Sequence, residues 1–320
     1  MTSARPGLAY LLAPLVAALI APPAAAQVDA FARPVALKNR EAAAAPAQDR
    51  DVAAALAAPS VSAEGAVLWE PTGRRVLYGK EASVPRRMAS TTKVMTVLLA
   101  LEAGTLDDTV TVSSTADRTD DVAGAASLGL RAGERVPVSS LLAGLVLRSG
   151  NDAAIAVAEH VAGSQEAFVA RMNARAAELG MEQTRFLNPT GLTDDVGHHA
   201  SPLDLAVLAE TAMRHREFAR WAAARTMDVP GIGTLRNRNE LLFDYPGLTG
   251  VKTGFTALAG QCLIASATRG GRTLYAVVLD SDDSFGDVAA LLDHGFTDYR
   301  QALPLAAGAQ AASFRWAGAV

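Results

Sequence analysis

The chain has 320 residues, half of them hydrophobic, and a formal net charge of −4, the composition of a globular protein long enough to build one large core. Its basic residues are scattered, with no basic run interleaved with aromatics, which excludes nucleic acid as an expected partner. A single cysteine, Cys262, excludes an internal disulfide.

Arg5 precedes an apolar run over residues 8–20, then Pro22-Pro23 and Ala24-Ala25-Ala26, the layout of a secretory signal at residues 1–26 cleaved after Ala26. Pro14 breaks the run, which is too short to span a bilayer, so no stable membrane anchor is expected there. The mature chain is then exported, periplasmic or otherwise extracytoplasmic, and soluble. Residues 27–60, rich in alanine with Pro34, Pro46 and Pro59, read as a flexible leader.

The folded part is expected over residues 61–300, with 301–320 as a short tail. Gly65-Ala-Val-Leu-Trp-Glu70 and Arg75-Val-Leu-Tyr78, joined through Pro71-Thr-Gly73, predict a β-hairpin. A helix follows from Met88 with Val94, Val97, Leu98 and Leu101 on its buried side, closed by Gly104. After a strand at Thr109-Val-Thr-Val112, Leu141, Leu142, Leu145 and Leu147 predict a buried helix with Ser139 and Ser140 as candidate caps. Ser149-Gly-Asn151 interrupts it, and further helices are expected over 152–161, 166–179 and 202–215. Residues 227–242 read as short strands or loops. Three strands near 247–254, 261–267 and 273–279 follow, antiparallel because their connections are short, and a helix near 288–294 ends the domain. The class is α/β, an antiparallel sheet that collects the first and last segments around an inserted helical lobe.

Three clusters carry chemistry. Ser90 and Lys93 lie one helical turn apart, so a hydroxyl gains an amine as neighbour, and a lysine kept neutral by burial and nearby positive charge can take its proton. Only four lysines occur, Lys38, Lys80, Lys93 and Lys252, among many arginines that cannot serve as bases. Ser149 and Asn151 offer a hydroxyl and an amide; Lys252-Thr253-Gly254 ends a strand where glycine would let a substrate backbone approach. Taken singly, each has a plainer reading: a solvated helix lysine, a helix cap, a surface lysine before a turn.

In the order Ser-x-x-Lys, Ser-Gly-Asn, Lys-Thr-Gly, the clusters resemble the signature of penicillin-binding proteins and class A β-lactamases. Beyond them, Met88-Ala-Ser-Thr-Thr-Lys-Val-Met-Thr96, Leu147-Arg-Ser-Gly-Asn-Asp-Ala153, Asn188-Pro-Thr-Gly-Leu192, Asn237-Arg-Asn-Glu-Leu-Leu242 and Gly250-Val-Lys-Thr-Gly-Phe-Thr256 are similar to the low-molecular-mass serine D-Ala-D-Ala carboxypeptidases. The resemblance implies a β-lactamase/DD-peptidase-like fold and a carboxypeptidase acting on peptidoglycan stem peptides, without a metal or other cofactor, and acylated by β-lactam antibiotics. It implies Ser90 as nucleophile, Lys93 as general base, Ser149 as proton relay and Asn151 as a holder of a substrate amide. Lys252 would supply positive potential, the N–H groups of Ser90 and Phe255 an oxyanion site, and Thr253 and Arg238 carboxylate binding.

There are departures. Where related enzymes carry an arginine before the last helix, this chain has Ser284, which puts carboxylate recognition in question. His198 and Asp204 fit a family pattern and are read as structural; His198-His199 suggests a metal, but no further ligand spacing supports it. Cys262 reads as core. The absence of a Glu-x-x-Leu-Asn segment argues against a β-lactamase. The short tail fits an endopeptidase cutting D-Ala-meso-diaminopimelate cross-links, Ser149-Gly-Asn151 a carboxypeptidase. A non-catalytic penicillin sensor would be expected to lack a motif residue, and none is lost.

Overall fold

The structure, a computed structural model, describes residues 58–118 and 125–299; the expected signal, nearly all of the leader and the tail lie outside the described residues. The hairpin forms as expected, β1 (Gly65–Glu70) with β2 (Arg75–Lys80). The last third supplies β7 (Leu248–Thr256), β8 (Gly260–Arg269) and β9 (Arg272–Ser281). They join the hairpin in one five-stranded antiparallel sheet, order β2-β1-β9-β8-β7.

Side-chain alternation explains why helices cover both faces of this sheet. Val67, Trp69, Ile264 and Val277 point to one side, into the large core shared with the helical lobe. Ala66, Leu68, Leu263, Ala265 and Val278 point to the other and meet Val288, Leu291 and Leu292 of the final helix, Ser284–Asp298. Leu68 is fully buried there, a contribution of about 2 kcal/mol for its side chain. Arg272 locks this layer: its Nε donates to Glu70 Oε1 at 2.7 Å and its Nη1 to Gly295 O and Tyr299 O at 2.6 and 2.7 Å.

The lobe between the two sheet segments is mostly helical. Its main elements are α1 (Lys93–Glu102), α2 (Ser114–Asp117), α3 (Val138–Arg148), α4 (Asn151–Ala162), α5 (Gln165–Glu178), α6 (Pro202–Met213) and α7 (Arg216–Ala223). Small two-stranded ribbons pair β3 (Thr109–Thr111) with β4 (Arg135–Pro137) and β5 (Thr226–Val229) with β6 (Gly233–Arg236). A one-turn helix, α8 (Leu241–Asp244), precedes β7, and the final helix is α9.

α2, β4 and α8 are not among the expected elements, and further details differ from the expectation. Ser139 and Ser140 do not cap α3, which starts at Val138 directly after Pro137; Ser140 is instead buried, its Oγ without a partner among the described residues. α7 was not anticipated: it is a short amphipathic helix of eight residues that buries Phe218, Trp221 and Ala222. α9 extends well beyond 288–294 at both ends, capped by Asp283, which accepts from Gly286 N.

Candidate active site

Ser90 does not open α1 itself. It sits in a 3-10 turn, Ala89–Thr92, that leads into the helix beginning at Lys93. Ala89 enters this turn in the left-handed region at φ 46°, which costs about 1 kcal/mol or more for a residue with a Cβ. As the first turn of a helix, the segment leaves N–H groups, Ser90's among them, without intrahelical acceptors.

Lys93 is completely buried, and its Nζ has three close oxygens: Ser90 Oγ at 2.8 Å, Asn151 Oδ1 at 2.7 Å and Thr190 O at 2.6 Å. Two of these can only accept, and a neutral amine has two N–H groups and one lone pair. The two hydrogens go to Asn151 and Thr190, leaving the lone pair for the Ser90 hydroxyl to donate to. Burial drives Lys93 well below the ordinary lysine range, and the charges of Lys252 and Arg238 push it further, against an opposing pull from Asp152.

Thr190 comes from a turn packed against the nucleophile's turn. Asn188 Oδ1 accepts from Thr190 N, Thr190 Oγ1 and Gly191 N, while Thr96 Oγ1 donates to Pro189 O at 2.7 Å. Gly191 has φ 80°, and a Cβ there would lie 1.9 Å from Ala89 O. His198 closes the back. Its Nδ1 accepts from Leu187 N at 3.0 Å, which fixes the proton on Nε2; that atom lies 2.8 Å from Thr92 Oγ1, whose own hydroxyl donates to Ala89 O. Burial, then His199 and Lys93, hold His198 at about 4. Both ring nitrogens are therefore occupied within the fold, consistent with a structural role and leaving no lone pair for a metal.

Ser149 ends α3 in the left-handed conformation, φ 67°, its N–H returning to Gly144 O and Leu145 O, and this bend separates α3 from α4. Its Oγ is buried with no partner among the described residues. Asn151 opens α4, and Asp152 beside it gathers the segment 126–130: Ser127 Oγ, Leu128 N and Leu130 N all donate to its carboxylate.

The third cluster lies on β7, the sheet's edge strand, where alternate N–H groups face away from the sheet. A Cβ on Gly254 would meet Met88 O and Ser90 N, each at 3.1 Å. In this structure the missing side chain makes room for the Ser90 turn rather than for a substrate backbone. Lys252 is buried, donates to Thr253 O at 2.8 Å, and is pushed down to about 7 by burial and by Arg238.

A cavity of about 560 Å³ opens in front of these groups. Ser90, Ser149, Asn151, Thr253, Gly254, Phe255 and Arg238 all line it, and Lys93 and Lys252 are buried behind them. Ser284 is at its rim, where its hydroxyl donates to Gln261 Oε1 at 3.0 Å. Cys262 also reaches the lining, but burial pushes its thiol up to about 12, so it is not a nucleophile here. Asp204 accepts from Gln183 N and Thr184 Oγ1, away from the cavity. The Asn188-Pro-Thr-Gly turn carries no catalytic side-chain signal in the sequence; the carbonyl that holds Lys93 is backbone, which no side-chain pattern reveals.

A serine oxygen beside an amine whose charged form is disfavoured by burial, N–H groups of a helical turn and an exposed strand edge, and positive charge deeper in the cleft suit acyl transfer through a covalent serine ester. Comparisons with known proteins agree. A family model described as D-alanyl-D-alanine carboxypeptidase matches residues 52–283. The D-alanyl-D-alanine carboxypeptidase DacF of Bacillus subtilis is 38% identical over 248 residues, 74% of this chain and 63% of the relative, so the chain spans less than two thirds of that protein's length. DacB2 of Mycobacterium tuberculosis, with the same description, is 37% identical over 78% of this chain and 88% of its own. Among solved structures, the Streptomyces K15 DD-transpeptidase superposes with a TM-score of 0.70 at 31% identity, covering 75% of this chain and 98% of the other. Penicillin-binding protein D2 of Listeria monocytogenes, solved in a cefotaxime-bound form, gives 0.67 at 30% identity over 74% and 98%.

Proposed function

The chain belongs to the D-alanyl-D-alanine carboxypeptidase family, and from that membership and the site we propose that it is a serine-type carboxypeptidase removing the terminal D-alanine from peptidoglycan stem pentapeptides. The Lys93 surroundings carry this reading, because burial and the charges of Lys252 and Arg238 push the amine toward its neutral form, in which two obligate acceptors take both hydrogens and leave the lone pair to Ser90.

Ser90 Oγ attacks the carbonyl of the penultimate D-alanine as its proton passes to Lys93 Nζ. The tetrahedral oxyanion rests on the N–H groups of Ser90 and Phe255, donors fixed before the charge develops. Collapse expels the terminal D-alanine, whose nitrogen takes a proton from Lys93 by way of Ser149 Oγ, a buried hydroxyl with no partner among the described residues. Water, deprotonated by Lys93, then attacks the ester and returns the proton to Ser90. Asn151 orients the acyl side, and Lys252 with Thr253 draws in the substrate's anionic end.

β-Lactams react at the same serine and leave slowly, since no Glu-x-x-Leu-Asn segment is present to hold a hydrolytic water. Export by an N-terminal signal, with action on the cell wall outside the cytoplasm, fits this substrate; among the described residues no helix is long and apolar enough to cross a membrane. The test is digestion of defined muropeptides by the purified protein. Free D-alanine from pentapeptides, absent with Ser90→Ala, is the expected result; split cross-linked dimers without free D-alanine would make the enzyme a D-Ala-meso-diaminopimelate endopeptidase instead.

A further inference from the structure

Three arginines line the cavity, Arg148, Arg236 and Arg238, and among the described residues only Arg236 has a carboxylate partner, Glu240, with Nη2 donating to Oε2 at 2.6 Å. Glu240 is also the only acidic residue in the cavity wall among the described residues. Arg148 and Arg238 make no ion pair or side-chain hydrogen bond there. Their backbones are neighbours, because Arg238 N donates to Leu147 O at 3.1 Å, which sets the segment after β6 against the end of α3. Partial burial and the charge of Arg148 both lower Arg238, so the two guanidinium groups feel one another. Like charges brought together without a counterion are unfavourable, and the position is relieved when an anion enters between them. Ser284, also in the lining and engaged with Gln261, brings no charge.

We propose that Arg148 acts with Arg238 as a guanidinium pair gripping the terminal carboxylate of the substrate, so that Arg148, the residue just before the Ser-Gly-Asn turn, is a specificity-determining residue. The inference rests on the reaction proposed above and adds a recognition group to it. The fork geometry of arginine suits a carboxylate, which can accept from both side chains at once. Reading the free carboxylate in this way separates a chain end from an internal D-alanine, as a carboxypeptidase must.

The test compares two peptides, diacetyl-Lys-D-Ala-D-Ala and its C-terminal amide, with wild type, Arg148→Gln and Arg148→Lys. Wild type should prefer the free acid. Arg148→Gln should raise KM for the acid about tenfold, leave the amide nearly unchanged and alter kcat little, with Arg148→Lys between the two. Unchanged thermal unfolding of the variants excludes a folding defect. If Arg148→Gln retains the full preference for the acid, the proposal is overturned. Wild type that cleaves neither peptide would overturn the activity and not the site. In that case, calorimetric titration of Ser90→Ala with both peptides still decides, since the acid must lose affinity on adding Arg148→Gln.

Discussion

Gly191 faces Ala89 so closely that a Cβ on the glycine would come within 1.9 Å of the Ala89 carbonyl oxygen. The contact lets the Thr190 carbonyl reach Lys93. Gly191→Ala meets both the clash and a φ of 80°, and must push the Asn188–Gly191 turn away from the Ser90 turn. The expected result is about 2 kcal/mol or more of lost stability and at least a hundredfold slower acylation by a labelled penicillin, measured by denaturant unfolding and gel fluorescence.

Replacing Lys93 tests the amine directly. Lys93→Met should keep the fold and slow acylation of Ser90 by about 10²–10⁴. Lys93→Arg should be no better, because guanidinium cannot give up its proton at working pH. Intact-mass time courses with benzylpenicillin provide the rates, and an active arginine variant would contradict the assignment.

The two lysines set opposite limbs of a pH profile. Lys93 must be uncharged to receive the Ser90 proton, so kcat/KM rises as pH climbs through its lowered pKa. Lys252 attracts an anion only while protonated, and with its pKa at about 7 the profile should turn down above neutrality. Arg238 contributes to that depression, so Arg238→Gln should move the falling limb to higher pH while lowering its height. A falling limb that stays in place would show that another group controls it.

His198 should leave its mark on acid stability. It is neutral in the fold with a pKa of about 4, against 6.5 for the ordinary side chain, so the unfolded chain binds the extra proton in between. Its contribution is complete above about pH 6.5 and is lost as pH falls toward 4, by about 3 kcal/mol. Comparing unfolding of wild type and His198→Gln from pH 8 to 4 checks this. Wild type should be more stable at pH 8 and fall more steeply below 6.5.

Asp152 governs a wall of the cavity through the donors it gathers from Ser127, Leu128 and Leu130. Asp152→Ala should release the segment 126–130, seen as faster amide hydrogen exchange there, and reduce kcat/KM by roughly tenfold, mostly through KM. Unaltered exchange would remove Asp152 from this role.

Much of this was readable from residue order. Alternating and 3.6-residue patterns located β1, β2, α1, α3 and the last three strands, and the spacing of Ser90 and Lys93 foretold their 2.8 Å contact. What escaped was non-local or made of backbone. The left-handed bends at Ala89 and Ser149 occur at residues that ordinarily avoid them, so no glycine announced them. Thr190 meets Lys93 through a main-chain carbonyl 97 positions away. The pairing of Arg148 with Arg238 needs the end of α3 and the segment after β6 to be brought side by side, which only the tertiary structure does.

The order β2-β1-β9-β8-β7 also constrains how such a molecule can be born. The amino-terminal hairpin has a vacant flank until Arg272–Ser281 arrives to pair with it, and Ser90 has no β7 beside it until Leu248–Thr256 has been synthesised. A chain synthesised only as far as residue 271 thus cannot possess a finished cleft, and pairing across more than two hundred residues slows assembly. Truncation anywhere before Arg272 should yield a polypeptide unable to be labelled by penicillin, however intact its first two motifs.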